Sequence, residues 1–253
     1  TKPAKLLSVC RPAKTTDSTC KGCNNNCLIK CIHFSGNRTY YTGNRCEKIF
    51  SNSDQSRTPG RNLVAEKLSL LEQLSQDQPE ASTVRIGLPM TLNIWENLPF
   101  WFTLFKELGW RVVRSRISSP TLIKNSAATV MSDNICYPAK LAHAHILDLL
   151  ERQVDRIFYP RVTYEHPNFK DAANNYNCPI VTGYPDVIDS AINPVERGVQ
   201  MDSPLINFND SGQLRLGCKT YLSRFAIENS LFNRAFEQAL QAQLSFKKEL
   251  RFK

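Results

Sequence analysis

The stretch that decides the fold is RIGLPMTLNIWENLPFWFTLFKELGWRVVRSR, residues 85–116. Residues 84–90 are mostly aliphatic and predict a short strand. Residues 99–109 predict a helix that has a proline in its first turn and a glycine as its stop. Residues 110–116 predict a second strand. A strand, a helix and a strand in this order predict a parallel pair joined by a right-handed crossover.

The residues that follow repeat this alternation. Further strands are predicted at 155–161, 178–185 and 204–208, and further helices at 119–130, 137–153, 185–192, 217–234 and 235–250. Ser119 is expected to cap the first of these helices, with Pro120 at its first position. We therefore expect an α/β fold, a Rossmann-like or flavodoxin-like three-layer sandwich with a mostly parallel sheet. Its functional loops are expected at the carboxyl ends of the strands, at 89–95, 115–119, 160–168 and 182–186.

The chain is predicted to have three parts. Residues 1–50 are rich in Cys, Asn, Thr and Lys, and a segment with so few large apolar residues needs a metal or a neighbour to stabilise it. Residues 51–80 predict a linker, which contains Pro59 and Gly60, and a connecting helix. Residues 81–253 predict the α/β domain. The chain opens without Met, which indicates a piece of a longer protein.

The composition narrows the classes of partner and compartment. The formal net charge is +9, and Lys and Arg are spread along the chain instead of forming a basic tail. This pattern favours an ordinary basic surface, with a phosphate-bearing partner as the alternative. No apolar run reaches the length of a membrane span. The nine cysteines are an odd number without a secretory signal, which favours a reducing, cytoplasmic compartment.

Five of those cysteines lie in TCKGCNNNCLIKCIHFSGNRTYYTGNRCEK, residues 19–48. A predicted hairpin with its turn at 35–37 would return the last cysteine to the first group. Thiolates so close together need a divalent ion or an iron–sulfur cluster to offset their repulsion. We predict a metal-binding hairpin with these four ligands: Cys20, Cys23, Cys27 and Cys46. Spacing favours structural zinc over an iron–sulfur cluster, and a segment without metal is the third alternative.

Two residues in the same hairpin are expected to play lesser parts. Cys31 lies within the first strand and is interpreted as a spare thiol that acts as a small apolar side chain. His33 is a possible substitute ligand, although a surface or locally hydrogen-bonded histidine is the more common case.

Two more cysteines are candidates at the edge of the sheet. Cys136 precedes a predicted helix, whose positive end lowers the pKa of a thiol there, and Cys178 precedes the predicted strand 178–185. The two could meet at one rim, or each could be an inert buried thiol. Glu165 and His166 could act at this rim, but exposed, solvated side chains are the expected case. No glycine-rich phosphate loop is present, so we expect no nucleotide in this body.

Two sets of residues resemble a known family. CKGCNNNCLIK and FSGNRTYYTGNRCEK resemble the cysteine segment of the large activator proteins of the 2-hydroxyacyl-CoA dehydratase and benzoyl-CoA reductase group. CYPAKLAHAH, 136–145, and NNYNCPIV, 174–181, are similar to the uncharacterised domain that follows the ATPase modules in those proteins. The resemblance covers about residues 15–192.

The resemblance implies a fragment of a long cytoplasmic chain that lacks its ATPase modules. The family delivers single electrons to a dehydratase or reductase, at the expense of ATP, through iron–sulfur clusters. Likeness to the dehydratase subunits makes Cys136 and Cys178 candidate cluster ligands, with Arg161 where a third cysteine is expected. The four cysteines of the hairpin match the family pattern, which raises an iron–sulfur cluster there to near parity with zinc.

The function that follows from the resemblance is docking or electron relay, without turnover by this fragment alone. The expected partners are the ATPase modules of the same chain and a dehydratase-like or reductase-like protein. The alternative is a zinc-containing module that binds nucleic acid or another protein. A nucleic-acid partner is the less favoured case, because the basic residues are dispersed.

Overall fold

A computed structural model describes residues 12–52, 61–74, 78, 82, 84–132, 134–167, 169 and 171–252. The chain divides into two compact units, Thr1–Asn62 and Leu63–Lys253. The division falls inside the segment 51–80, whose Pro59 and Gly60 lie outside the described residues.

The amino-terminal unit is an antiparallel sheet of three strands in the order β1-β2-β3. These are β1 (Pro12–Thr19), β2 (Leu28–Phe34) and β3 (Arg38–Thr42). The predicted hairpin is β2–β3, and its turn uses Gly36 and Asn37, both with positive φ, as tight hairpin turns require. Ile29 and Cys31 alternate on β2 and are buried, so Cys31 packs as an apolar side chain. Strand β1 was not predicted, because its polar residues give no alternating pattern.

The carboxy-terminal unit contains a four-stranded sheet in the order β5-β4-β6-β8, and all of its neighbouring pairs are parallel. Its strands are β4 (Arg85–Leu88), β5 (Arg111–Arg114), β6 (Arg156–Phe158) and β8 (Gln200–Asp202). A second, two-stranded parallel sheet pairs β7 (Arg161–Tyr164) with β9 (Leu205–Asn207). The predicted α/β class with a mostly parallel sheet is confirmed.

Seven helices are described in this unit: α1 (Leu63–Gln73), α2 (Ile94–Glu107), α3 (Pro120–Ser126), α4 (Tyr137–Glu151), α5 (Pro179–Ile192), α6 (Ser211–Leu222) and α7 (Asn229–Phe252). Ser119 caps α3 as predicted, because its Oγ atom accepts a hydrogen bond of 3.2 Å from the backbone N–H of Leu122. The aromatic residues of α2 are core residues, with Trp101 packed edge-on against Phe100 and tilted against Phe158.

One predicted strand is wrong. Residues 178–185 form the start of α5, so the predicted functional loop at 182–186 is also wrong. The run of β-branched residues after Pro179 suggested a strand, but a proline at the first position favours a helix start. Val181, Tyr184 and Ile188 are buried at helical spacing. The fourth strand of the sheet is instead β8.

Three boundaries also differ from the predictions. Helix α2 begins at Ile94, so Pro99 lies inside the helix instead of in its first turn. The strand predicted at 204–208 joins β7 and not the main sheet. The last two helices are separated by residues 223–228.

Candidate functional site

The functional site predicted at the carboxyl edge of the sheet lies where the chain changes direction. After β4 the chain forms the edge strand β5 on one side of β4. It then returns and forms β6 on the other side of β4. In such sheets, ligands bind at the carboxyl ends of the strands beside this point. The loop after β4 reaches the start of α4, because the Thr91 hydroxyl donates a hydrogen bond of 3.3 Å to the Pro138 carbonyl.

Cys136 and Cys178 occupy the same position in two different helices. Cys136 is the N-cap residue of α4, and Cys178 is the N-cap residue of α5. Each has extended backbone, is followed by a proline in the first two helical positions, and makes no side-chain capping hydrogen bond. Both are exposed free thiols. Each thiol is therefore presented at the positive end of a helix, where a thiolate or another anion is stabilised.

Two buried tyrosines interact electrostatically with the two thiols. The pKa of Tyr184 is raised first by burial and then by the Cys136 thiol. The pKa of Tyr159 is raised first by burial, then by Tyr184 and then by Cys178. Cys136 therefore lies within electrostatic range of Tyr184, and Cys178 within range of Tyr159. Both predicted cysteines therefore affect the electrostatic environment of one pair of tyrosines, and a joint site of the two thiols is a proposal.

Tyr159 has an unusual hydroxyl group. The residue is fully buried, and its Oη atom has no hydrogen-bond partner among the described residues. A buried polar group without a partner costs about 1–3 kcal/mol.

The second tyrosine is fixed by a histidine that the sequence did not mark as functional. The Nε2 atom of His143 lies 2.8 Å from Tyr184 Oη, and its Nδ1 atom lies 3.1 Å from Thr129 Oγ1. Burial lowers the pKa of His143, so the ring is neutral at neutral pH. The only indication of this role in the sequence was the presence of a histidine in the predicted helix 137–153. The structure places this histidine on the buried face of α4.

Glu165 was expected to be solvated, and this prediction is wrong. Its carboxylate accepts hydrogen bonds of 3.1 and 3.2 Å from the Asn97 side-chain amide and one of 3.4 Å from Asn177. Burial raises the pKa of Glu165. Burial and then Lys247 lower the pKa of His166 to about 4. Because Asn177 precedes Cys178 directly, this half-buried carboxylate lies next to the start of α5.

In the amino-terminal unit, the four predicted metal ligands lie on two neighbouring loops. The backbone N–H of Cys20 donates a hydrogen bond of 2.8 Å to the carbonyl of Cys27, which closes the loop that carries Cys23. Cys46 lies in the segment after β3, where its carbonyl accepts a hydrogen bond of 3.1 Å from Asn44.

The segment that carries Cys46 packs on the first cysteine loop. A Cβ atom added at Gly22 would lie 2.4 Å from Ile49 Cδ1, so only glycine allows this contact without rearrangement. His33 is bound between the strands, with Nδ1 3.1 Å from Thr39 Oγ1 and Nε2 3.4 Å from Thr16 Oγ1. These bonds match the locally hydrogen-bonded case for this histidine.

The chemistry of the four cysteines favours a bound metal, but the arrangement of their side chains does not show a metal site. Four free thiols on adjacent loops suit zinc or an iron–sulfur cluster chemically. Within the described parts of the chain, however, no group of three or more His, Cys, Asp or Glu side chains converges as a metal site. A metal at either set of cysteines is therefore a proposal. No helix among the described residues is long and apolar enough to cross a membrane.

One comparison with known proteins gives a match. Residues 85–253 match the family model described as CoA enzyme activase uncharacterised domain (DUF2229). Neither the curated proteins nor the solved structures give a match to the chain. The matched residues include both helices that begin with a cysteine.

Proposed function

The chain belongs to the family of the CoA enzyme activase uncharacterised domain, and on this premise we propose that it is a non-ATPase domain of a 2-hydroxyacyl-CoA dehydratase activator-like protein. Its role is docking or electron relay between ATPase modules and a dehydratase-like or reductase-like protein. The parallel sheet with β4 at its centre supports a Rossmann-like or flavodoxin-like body similar to the dehydratase subunits.

The observation that carries this proposal is the thiol pair at the helix starts. Cys136 and Cys178 are both exposed, and each lies within electrostatic range of a buried tyrosine. They would hold an iron–sulfur cluster, which would supply one-electron chemistry when bound. The helix starts at Cys136 and Cys178 stabilise the negative charge of such a group.

Two thiols are fewer than the ligands such a cluster needs. Arg161 occupies the place where the family resemblance suggests a third cysteine, and its guanidinium group pairs with Asp186 on α5. This ion pair holds the start of β7 against the helix that Cys178 caps. The remaining ligands would therefore come from outside this chain, which suits a domain that works by docking.

We assign a second, structural role to the amino-terminal cysteines. Cys20, Cys23, Cys27 and Cys46 would bind zinc or an iron–sulfur cluster and so stabilise a unit with little apolar core. The contact of Ile49 with Gly22 supports this role, because it holds the segment of Cys46 against the loop between Cys20 and Cys23.

Metal and sulfide analysis tests both assignments on the full-length protein, purified without oxygen together with its dehydratase-like or reductase-like partner so that the ligands from outside this chain are present. We expect iron and acid-labile sulfide that decrease in Cys136→Ser and Cys178→Ser, with Cys218→Ala as the control because Cys218 is a buried thiol outside the site. Metal in the amino-terminal unit is expected to decrease in Cys46→Ala and to persist in Cys31→Ala.

Two results would count against the proposal. Iron and sulfide contents that are the same in Cys136→Ser, Cys178→Ser and Cys218→Ala would exclude a cluster at the thiol pair. Zinc alone, together with nucleic-acid binding that weakens steeply with salt, would favour the alternative nucleic-acid-binding module.

A further inference from the structure

A cavity apart from the cysteine site lies beside the edge strand β5. Its volume is about 510 Å³, which is within the range of small-molecule sites. It is bounded by α1, by β5 and by the loop that follows β5. Five arginines line it: Arg85, Arg111, Arg114, Arg116 and Arg152. The lining also includes one acidic residue, Glu72.

Two of these arginines are neutralised by carboxylates. Asp148 on α4 is fully buried and pairs with Arg116 and, at 3.0 Å, with Arg152. Arg116 also lies 3.2 Å from the carboxylate of Glu151. The two carboxylates of α4 fix the wall of the cavity and leave Arg116 and Arg152 with little unbalanced charge.

The other three arginines have no salt bridge with a carboxylate in the described part of the chain. Arg85 donates a hydrogen bond of 3.0 Å to the Arg152 carbonyl, and its buried Nε atom has no partner there. Arg114 donates one of 3.2 Å to the Leu71 carbonyl, and its pKa is lowered by burial against the opposing effect of Glu72. Arg111 is exposed, and its guanidinium group has no hydrogen bond to a described residue.

The wall next to the arginines is apolar and partly aromatic. Met90 and Trp95 line the cavity together with Leu68 and Leu71. Trp95 is half-buried, so its ring forms a surface on which a planar ligand group can stack.

Like charges that are partly removed from water raise the free energy of the unliganded protein, and an anion relieves this cost. Guanidinium groups match phosphate oxygens in geometry and hydrogen-bonding capacity. We propose that this cavity binds a phosphate-bearing small molecule, whose phosphates contact Arg111, Arg114 and Arg85 and whose planar part stacks on Trp95. No local sequence pattern marks this site, because arginine side chains from separate elements replace a glycine-rich loop.

Calorimetric titration of the chain with pyrophosphate and with ADP tests this proposal. We expect Arg111→Gln to weaken the binding of both by roughly ten-fold or more, as loss of a charge-assisted hydrogen bond predicts. Arg234→Gln is the matched control, since Arg234 is exposed on α7 and does not line the cavity. Its affinities are expected to equal those of the parent chain.

A second variant tests the aromatic wall and separates the two sources of phosphate. Trp95→Ala is expected to weaken ADP binding and to leave pyrophosphate binding unchanged. Thermal unfolding without ligand verifies that each variant is folded. No binding by the parent chain, or equal affinities in Arg111→Gln and Arg234→Gln, would overturn the site. Equal losses for both ligands in Trp95→Ala would overturn the stacking role.

Discussion

The Nε2 atom of His143 lies 2.8 Å from Tyr184 Oη, and this contact joins the two helices that carry the exposed thiols. Cys136 is the N-cap residue of α4, and Cys178 is the N-cap residue of α5. This buried hydrogen bond therefore links α4 to α5 and contributes to the relative position of the two helix starts.

Tyr184→Phe is expected to destabilise the carboxy-terminal unit by about 1–2 kcal/mol, because it leaves a buried imidazole nitrogen without a partner. Urea unfolding measures the change. Tyr137→Phe is the control, since Tyr137 is 59% exposed. Equal stabilities of the two variants would show that the His143 contact does not hold the helices together.

The stability of the carboxy-terminal unit is expected to fall as the pH falls from about 6.5 to about 4. Burial lowers the pKa of His145 to about 4, with Asp148 acting in the opposite direction. In that window the unfolded chain takes up a proton that the folded chain does not, so acid favours unfolding. His166, whose pKa is also lowered to about 4, contributes in the same direction.

His145→Gln isolates this effect. The variant should reduce the slope of unfolding free energy against pH by about 1.4 kcal/mol per pH unit within that window. It also loses contacts with Ser115 and Ser118, but this loss changes the stability and not its pH slope. His33→Gln, in the other unit, is the control. An unchanged slope in His145→Gln would contradict the lowered pKa.

Glu165 changes the stability with pH in the opposite direction from the two histidines. Its pKa is raised above the ordinary value of 4.5 by burial, so the folded chain holds a proton that the unfolded chain has lost. The stabilisation that this carboxyl group provides is complete at low pH, and it is lost as the pH rises through the raised pKa. The stability of Glu165→Gln relative to the parent chain should therefore increase from pH 4 to pH 7. The exposed Glu196→Gln should show no such trend, and a trend of equal size there would refute the assignment.

Gly43 is expected to be essential to the amino-terminal unit. Its φ is +91°, and an added Cβ would lie 2.2 Å from the Leu28 carbonyl oxygen. Gly36 also has positive φ, at +78°, but open space around it. Gly36→Ala should cost about 1–2 kcal/mol from backbone strain alone.

Gly43→Ala should cost distinctly more, because the strand end must move away from Leu28. Amide hydrogen exchange in β2 and β3 measures both variants. Similar protection of these strands in the two variants would show that the close approach of Gly43 is not needed.

The elements that could be predicted are those with local signals. The strand–helix–strand order of residues 85–116 follows from apolar runs separated by a glycine with positive φ, Gly109. The cap at Ser119 follows from the Ser-Pro pair. The family resemblance at 136–145 and 174–181 identified the cysteine pair, and the match of residues 85–253 confirms the family.

The elements that could not be predicted depend on distant partners. Strand β8 contains only Gln200–Asp202. It is a strand because it pairs with β6, and its own composition does not predict one. Glu165 is half-buried, and Asn97 and Asn177 come from other parts of the chain to bind it. The arginine-lined cavity likewise joins residues from α1, from both strands β4 and β5, and Arg152 directly after α4. No local pattern carries such information.

The central claim is that Cys136 and Cys178 form one site at the starts of α4 and α5. Dibromobimane, which becomes fluorescent when it bridges two neighbouring thiols, tests this directly when peptide mapping follows the reaction. The account predicts a fluorescent bridged product that contains both cysteines and is lost in Cys136→Ser and in Cys178→Ser. Separate alkylation of each thiol without a bridged product would contradict it.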